Sequence, residues 1–314
     1  MNVGSSISTA RRELEKGNLV AIPTETVYGL AANGLDTSAV LKIFEAKNRP
    51  FFDPLIIHTH SLDKVDGLVK HIPEKAKVLA EKFWPGPITL LLPKRDFIPD
   101  LVTSGLPLVA IRIPNHQLTL KLLESLDFPL AAPSANPFGY VSPTTAEHVS
   151  AQLHDKVAYI LDGGPCSVGL ESTIVSFEEN KVYVHRLGGL QIEEIEKIAG
   201  EVQFILNTSS NPKAPGSLKS HYATKTKIVV GEIEELLEIY KNNNSGVISF
   251  QKTYTLKNNR VLSPQGNLSE AAKNLFSAMR EMDKMKLDVI ITEKFPDEFL
   301  GRAINDRIKR AAYN

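Results

Sequence analysis

The chain has 314 residues, with 36 Lys and Arg against 36 Asp and Glu and a hydrophobic content of 42%. This length exceeds one typical domain, so we expect one large core and a smaller second one. The absence of net charge argues against a broad basic surface for duplex nucleic acid, so phosphate binding is expected to be local. A single cysteine, Cys166, excludes a disulfide framework and fits a reducing cytoplasm.

The sequence also argues against a membrane partner or export. No run approaches the ~18 apolar residues of a membrane span, and the first residues lack the apolar core of a signal peptide. We therefore expect a cytoplasmic protein that does not bind membranes.

The first predicted strand covers Leu19–Ile22, an apolar run that ends at Pro23. Thr24, Glu25 and Thr26 follow its carboxyl end, where open α/β sheets place their ligands. A helix is expected to follow, because Asp36 is a suitable N-cap for an amphipathic run ending near Lys47.

Lys47 and Arg49 allow two interpretations. They could bind an anionic substrate, or Lys47 could complement the helix dipole while Arg49 is solvated. Charge and spacing alone favour the structural interpretation.

The first 200 or so residues mix helices and strands in an irregular order. Helical patterns occur at Ser8–Lys16, Thr37–Lys47, Glu74–Phe83, Gln117–Leu126, Thr145–Leu153 and Ile192–Ala199. Strand patterns occur at Leu55–His58, Ile88–Leu92, Leu108–Ile113, Val157–Leu161, Thr173–Phe177 and Lys181–His185. The last two strands predict an antiparallel hairpin, so the sheet is expected to be mixed.

The composition of residues 207–226 turns to Ser, Asn, Pro, Lys and Gly, which is typical of a linker. Strands and helices alternate after it, which predicts a small parallel α/β domain. We divide the chain into a first domain over residues 1–204, a linker over 205–226 and a second domain over 227–314. No P-loop and no dinucleotide-binding glycine fingerprint is present in the sequence.

Several polar residues of the first domain are candidates for binding anions. Arg112 ends a half-buried strand and needs a partner, either a substrate carboxylate or an internal acid. Ser134 and Asn136 follow a predicted strand in an Asx turn or a phosphate-binding loop. Ser142 precedes a predicted capping box, Thr144 to Glu147, at a helix N-terminus. The scattered histidines have no acidic or cysteine companions at metal-ligand spacing.

Seven segments together resemble the YrdC-like domain in their order along the chain. They are PTETVYGL, KNRP with DPLIIH, WPGPITLLL, VAIRIP, PSANPFG with SPTTAEHV, GLESTIV and RLGG. The linker APGSLKSHYA and the terminal FLGRAINDRIKRAA are similar to the long, two-domain threonylcarbamoyl-AMP synthases. The resemblance implies a YrdC-like mixed twisted sheet with helices, followed by a small Rossmann-like parallel α/β domain.

The resemblance further implies an enzyme, a nucleotidyltransferase that makes threonylcarbamoyl-AMP and pyrophosphate from L-threonine, bicarbonate and ATP. Mg²⁺ is expected on the ATP phosphates, with no metal ligand from the protein. Downstream threonylcarbamoyl-transferase proteins of tRNA modification are the implied partners, and no stable direct nucleic-acid binding is expected. The alternatives are an RNA-binding module of the same fold without chemistry and a carbamoyl-transfer enzyme of the hydrogenase-maturation type. The latter is disfavoured because acylphosphatase and zinc-finger segments are absent.

The resemblance also assigns site residues, and it favours functional roles for Lys47, Arg49 and Arg112. Lys47 and Arg49 are the implied catalytic residues. The implied threonine-binding residues are Thr26, His58, Arg112, Ala132 and Ser172. The implied ATP-binding residues are Lys47, Arg49, Asp53, Leu108, Ser134, Asn136, Ser142, Arg186, His221 and Tyr222.

The chain departs from the family pattern at four positions. Asp53 stands where Asn is common, which replaces an amide donor near ATP with a like charge. Leu108 replaces a frequent Thr, Leu187 replaces the usual Pro after Arg186, and Phe299 replaces a usual Gly.

Overall fold

The computed structural model describes residues 2–205 and 221–313. In the first domain the strands are β1 (Asn2–Gly4), β2 (Val20–Ile22), β3 (Gly29–Asn33), β4 (Ile56–His58), β5 (Ile88–Pro93), β6 (Leu108–Arg112), β7 (Leu130–Ala131), β8 (Tyr159–Leu161), β9 (Thr173–Glu178), β10 (Lys181–Arg186) and β11 (Val202–Phe204). Its helices are α1 (Ile7–Glu15), α2 (Thr37–Lys47), α3 (Leu62–Leu68), α4 (Glu74–Phe83), α5 (Asp100–Thr103), α6 (Gln117–Glu124), α7 (Ala146–Leu153) and α8 (Ile192–Ala199).

These strands form one mixed sheet in the order β1-β8-β2-β3-β7-β4-β6-β5-β9-β10-β11. The predicted hairpin is present, because β9 and β10 pair antiparallel. Strands β4 and β6 pair in parallel, with His58 opposite Arg112. The mixed sheet therefore brings together two polar side chains that lie far apart in the sequence.

Alternation along β6 sends its side chains to two different environments. Val109 and Ile111 join the main core of the domain. Ala110, with Leu108 against it, joins a separate small cluster formed with Ile56, Leu91 and Ile174. Arg112 follows on the same side of the strand as Ala110, as the sequence pattern predicts.

Helix α2 begins as predicted, since the Asp36 side chain accepts hydrogen bonds from the backbone N–H groups of Ser38 and Ala39. It ends with Asn48 in the left-handed conformation, at φ 52°. This left-handed C-cap ends α2, so Arg49 lies in the loop after the helix, with its backbone N–H donating to the Phe44 carbonyl. The predicted capping box of α7 is wrong by one residue: the N-cap is Thr145, whose side chain accepts from the His148 N–H.

The second domain is a four-stranded parallel sheet with helices. Its elements are β12 (Lys227–Val230), α9 (Ile233–Ile239), β13 (Ser245–Ser249), β14 (Asn259–Val261), α10 (Leu268–Lys284), β15 (Val289–Thr292) and α11 (Phe299–Ala311). Its sheet order is β12-β15-β13-β14. The predicted alternation is confirmed, although β14 was not foreseen because its three residues are only half-buried.

Helices α10 and α11 pack directly on the first domain. One apolar cluster contains Val27, Val141 and Leu170 from the first domain together with Phe276 and Ile304 from the second. The approach is so close that a Cβ on Gly169 would lie 2.5 Å from the Lys273 Cα. The linker predicted over residues 205–226 lies mostly outside the described residues, so the domain limits stay a prediction.

Candidate active site

A cavity opens where β2, β4, β6 and β10 end and β9 begins, and the last described loop before β12 approaches them. Most predicted site residues line it, namely Thr26, Arg49, His58, Arg112, Ala132, Ser134, Ser172, Arg186, His221 and Tyr222. Residues that were not predicted also line it, namely Thr24, Val27, Gly29, Pro54, Ile56, Pro133 and Glu171. The fold thus collects into one place polar groups from segments up to almost 200 residues apart.

Arg112 lies at one end of the cavity with an internal acid beside it. Its Nη2 lies 2.7 Å from Glu25 Oε2, its Nη1 donates to Thr26 Oγ1 at 2.8 Å, and its Nε donates to the Gly86 carbonyl at 3.2 Å. The internal salt bridge considered from the sequence is therefore present. A guanidinium carries five N–H donors, so these contacts leave donors for a substrate carboxylate.

His58 is held neutral beside Arg112. Burial and the Arg112 charge lower the pKa of His58 to about 3. Its Nδ1 lies 3.2 Å from the Ile56 carbonyl, which can only accept, so Nδ1 carries the proton. His58 Nε2 is then a hydrogen-bond acceptor.

Arg49 lines the cavity and is anchored from behind by Asp53. Its Nη2 lies 2.9 Å from Asp53 Oδ2 and donates to the Pro54 carbonyl at 2.8 Å, while its Nε donates to the Asp53 carbonyl at 3.0 Å. Asp53 is fully buried and does not line the cavity. Asp53 is thus an ion-pair partner that orients Arg49. Its side chain does not reach the cavity, where the ATP contact predicted for it would have to form.

Lys47 and Asn136 are brought close to the cavity but turn away from it. The buried Lys47 ammonium donates to the carbonyls of Ser134 at 2.6 Å and Asn136 at 2.5 Å. The Asn136 amide donates to the carbonyls of Pro137 and Tyr140, at 2.9 and 2.8 Å. Burial and the nearby Arg49 charge lower the pKa of Lys47. Both side chains hold the loop that presents Ser134, and neither lines the cavity.

Arg186 meets Ser172 on the opposite wall. Its Nε donates to the Ser172 carbonyl at 3.0 Å and its Nη2 to the Ser172 hydroxyl at 3.1 Å. The β9–β10 pairing shifts register between Val184 and Arg186, and this irregularity re-aims Arg186. Burial lowers the pKa of Arg186 to about 10, so it stays a cation at neutral pH. A Cβ on Gly188 would lie 2.3 Å from the Glu171 carbonyl oxygen, which explains the glycine turn after Arg186.

Glu171 is a cavity-lining acid that the sequence reasoning missed. Ser142 donates to its Oε1 at 2.5 Å, and Arg307 Nε of α11 donates to its Oε2 at 2.9 Å. Burial opposes ionisation, but the charges of Arg307 and Arg186 and the Ser142 hydrogen bond lower the pKa of Glu171. The signal available in the sequence was an acid directly before Ser172, a residue already assigned to the site. Ser142 reaches the site through Glu171 and does not line the cavity.

His221 and Tyr222 close one side of the cavity and are both buried. The Tyr222 ring stacks on Phe276 of α10, with centroids 5.5 Å apart. Among the described residues, neither Tyr222 Oη nor His221 Nδ1 has a hydrogen-bond partner. Buried polar atoms without partners are unusual, and a bound ligand could supply the missing hydrogen bonds.

The cavity therefore combines three arginines, two histidines, hydroxyl groups and one acid in a buried space. The remaining predicted residue, Leu108, lies beside it in the small apolar cluster with Ile56, which does line the cavity. In residues 2–205 and 221–313, no group of three or more His, Cys, Asp or Glu could hold a metal ion. No helix there is long and apolar enough to cross a membrane. The fold and site define an α/β protein with a buried, arginine-rich cavity suited to small anionic substrates.

Comparison with known proteins identifies the family. Residues 12–188 match the Sua5/YciO/YrdC family model, described as "Telomere recombination", and residues 190–313 match the model described as "Threonylcarbamoyl-AMP synthase, C-terminal domain". The chain is 43% identical to the threonylcarbamoyl-AMP synthase of Pyrococcus abyssi, over 95% of this chain and 92% of the relative. It is 39% identical to that of Bacillus subtilis, over 98% and 92%. The crystal structure of P. abyssi Sua5 with L-threonine superposes with a TM-score of 0.94 at 42% identity, covering 99% of this chain and 97% of that one.

The chain belongs to the threonylcarbamoyl-AMP synthase family. The predicted family, the fold class and the enzyme class, a nucleotidyltransferase, are thereby confirmed. The roles of individual site residues stay predictions.

Proposed function

We propose that this chain forms threonylcarbamoyl-AMP and pyrophosphate from L-threonine, bicarbonate and ATP, for threonylcarbamoyladenosine modification of tRNA. The observation that carries the proposal is the position of Arg112, with neutral His58, in the same buried cavity as Arg49 and Arg186. One end suits an amino acid and the other suits a polyphosphate. A full-length match to the family supports the assignment.

In this proposal, threonine binds at the Arg112 end. Its carboxylate pairs with the free donors of Arg112 in a charge-assisted hydrogen bond. His58 Nε2 accepts from the threonine ammonium or hydroxyl group, and Thr26 and Ser172 add hydroxyl groups. Ala132 leaves room for the substrate because its side chain is small. The P. abyssi structure with L-threonine supports a threonine site in this fold.

ATP lies across the other end. Arg49 and Arg186 face the phosphates, Ser134 and its loop lie beside them, and His221 and Tyr222 offer unpartnered polar atoms. The adenine base lies against the apolar part of the cavity wall, which is formed by Ile56. Leu108 and Ala110 pack against Ile56 there. Lys47, Asn136, Asp53 and Ser142 support ATP binding through the groups they orient.

The threonine amine first condenses with bicarbonate to a carbamate and releases water. The next step requires two anions to meet, because a carbamate oxygen attacks the α-phosphorus of ATP and the bond to pyrophosphate breaks. Catalysis is then mainly alignment and neutralisation of charge, supplied by Arg49 and Arg186. Mg²⁺ is carried on the ATP phosphates, where it supplies further charge neutralisation. The carbamate oxygen is the nucleophile, and pyrophosphate is the leaving group.

The second domain and the linker belong to the same proposal. We assign residues 205–226 to a linker that closes over the nucleotide, because His221 and Tyr222 at its end already form a wall of the cavity. The linker residues from Pro215 to Ser220, which include Lys219 as a further candidate hydrogen-bond donor to phosphate, lie outside the described residues. The product is unstable in water, so transferase proteins in the cytoplasm are the expected receivers of its threonylcarbamoyl group.

A pyrophosphate-release assay tests the proposed function. Purified protein should release pyrophosphate from ATP only when L-threonine and bicarbonate are both present. Omitting each substrate in turn gives the matched controls. Release that is independent of threonine would exclude the proposal and leave an ATPase. No release at all, with tight and salt-dependent RNA binding, would support the RNA-binding alternative.

A further inference from the structure

Arg307 is an arginine of the second domain whose side chain reaches the cavity wall in the first. It lies on α11 and its side chain is fully buried. Its Nε donates to Glu171 Oε2 at 2.9 Å, and its Nη2 donates to the Leu187 carbonyl at 2.8 Å. Both partners sit next to predicted substrate-binding residues, Ser172 and Arg186.

The same guanidinium also packs on the cavity wall formed by Tyr222. Its central carbon lies 4.9 Å from the centroid of the Tyr222 ring, a distance at which a cation attracts an aromatic face. Its Nη1 donates to Asp306 Oδ2 at 2.6 Å, which fixes the group on its own helix. The Arg307 side chain thus links three groups: the Glu171 carboxylate, the Leu187 carbonyl and the Tyr222 ring.

Glu171 makes this arrangement necessary for a polyphosphate site. Its carboxylate lines the cavity, and an unbalanced negative charge there would repel the ATP phosphates in a poorly hydrated space. Arg307 neutralises Glu171 and keeps its second oxygen on Ser142. Within the part of the chain that the structure describes, the Arg307 side chain contacts Glu171, Leu187, Asp306 and Tyr222, and it makes no hydrogen bond or ion pair with Arg112, His58 or Thr26 at the threonine end.

We propose that Arg307 is a positioning residue for ATP, through which the second domain completes the nucleotide side of the active site. This inference rests on the proposed function. It gives the C-terminal domain a role in substrate binding, exerted through Glu171 and Tyr222 and without contact with the reacting atoms.

The test compares Arg307→Met with the unsubstituted chain in the pyrophosphate-release assay. Loss of a buried charge partner should raise the KM for ATP by about tenfold or more, because one ion pair and its hydrogen bond are removed. The KM for threonine should stay within about twofold, because Arg112 and His58 are untouched and Ser172, the threonine-site residue next to Glu171, is held by Arg186 and Thr89. Arg307→Lys, which keeps the charge but not the planar fork, should give an intermediate KM for ATP.

Arg302→Met is the matched control, because Arg302 lies on the same helix and also crosses the domain interface. It pairs with Glu193 at 3.2 Å and does not line the cavity. Neither KM should change by more than about twofold in this variant. Adding Glu171→Gln to Arg307→Met should lower the KM for ATP again, because it removes the unbalanced charge.

An unchanged KM for ATP in folded Arg307→Met would overturn the inference. Equal rises in both KM values, or no recovery with Glu171→Gln, would also overturn it and would assign Arg307 to general stability. If Arg307→Met does not fold, Arg307→Lys decides by the same two KM values. Activity of the unsubstituted chain in the same assay separates this failure from failure of the proposed function.

Discussion

Replacing Arg112 should weaken threonine binding far more than ATP binding. The Arg112 side chain is about 4% exposed, so its pairing with a substrate carboxylate is largely desolvated. Loss of such a charge-assisted pair costs about 2–4 kcal/mol, which is about 30-fold to about 1,000-fold in affinity.

The substitution must not leave Glu25 as a buried, unpaired charge. Breaking a buried ion pair costs about 3–5 kcal/mol of folding stability, which could mask the effect on binding. We therefore compare Arg112→Met with its parent in a Glu25→Gln background, where the remaining group is neutral. Arg95→Ala is the control, since Arg95 is an exposed arginine of the same domain away from the cavity.

Isothermal titration calorimetry with L-threonine, and separately with ATP, measures the two affinities. Thermal unfolding checks that each variant is folded. Unchanged threonine affinity in folded Arg112→Met would refute the assignment of Arg112 to the carboxylate. An equal loss of ATP affinity would show that the two substrate ends are not separate.

Three further predictions follow from the same contacts. The pKa of His58 is about 3 in the folded chain, against 6.5 in a model peptide. As pH falls from 6.5 towards 3, His58 therefore takes up a proton in the unfolded chain but not in the folded one, and folding stability decreases over that range. Urea unfolding at pH 6.5 and 5 should show a loss about 1.6 kcal/mol smaller in His58→Gln than in the unsubstituted chain, and equal losses would show that His58 is not held neutral. Lys47→Met should lower kcat and thermal stability together. Arg49→Met, compared with its parent in an Asp53→Asn background so that no buried charge is left unpaired, should raise the KM for ATP with a smaller change in stability; the reverse pattern would contradict their placement. Limited proteolysis with and without ATP, Mg²⁺ and threonine should show protection of residues 215–223, and equal cleavage together with full activity of a His221→Ala, Tyr222→Phe variant would reduce the linker to a tether.

Hydrophobic periodicity in the sequence predicted most of the helices and strands. The runs that became α2 and β6 combine a clear repeat with an N-cap or a turn, so local sequence and tertiary packing agree. The short strands β1, β11 and β14 were not foreseen, because most of their side chains are half-buried or exposed and they form no apolar run. The equally short β2, β4 and β8 are fully buried and lie in apolar runs that the sequence does show. Pairing with neighbouring strands stabilises β1, β11 and β14, and that pairing is not visible locally.

The site divides in the same way. Ordered motifs identified ten of the 17 residues that line the cavity, but not the direction of each side chain. Lys47 turns to the carbonyls of its neighbouring loop because α2 ends beneath that loop, and Asp53 turns to Arg49 within a tight turn. The Glu171–Arg307 pair joins residues 136 positions apart and exists only because α11 docks on the first domain, so no local pattern could reveal it.

The most direct test of the central claim is to identify the product formed from isotopically labelled bicarbonate. Mass spectrometry of a reaction with L-threonine, ATP and Mg²⁺ should show threonylcarbamoyl-AMP carrying the label, in an amount equal to the pyrophosphate released. Threonine linked directly to AMP without the label would contradict the account, because it would show that the threonine carboxylate, and not a carbamate, attacks the α-phosphorus.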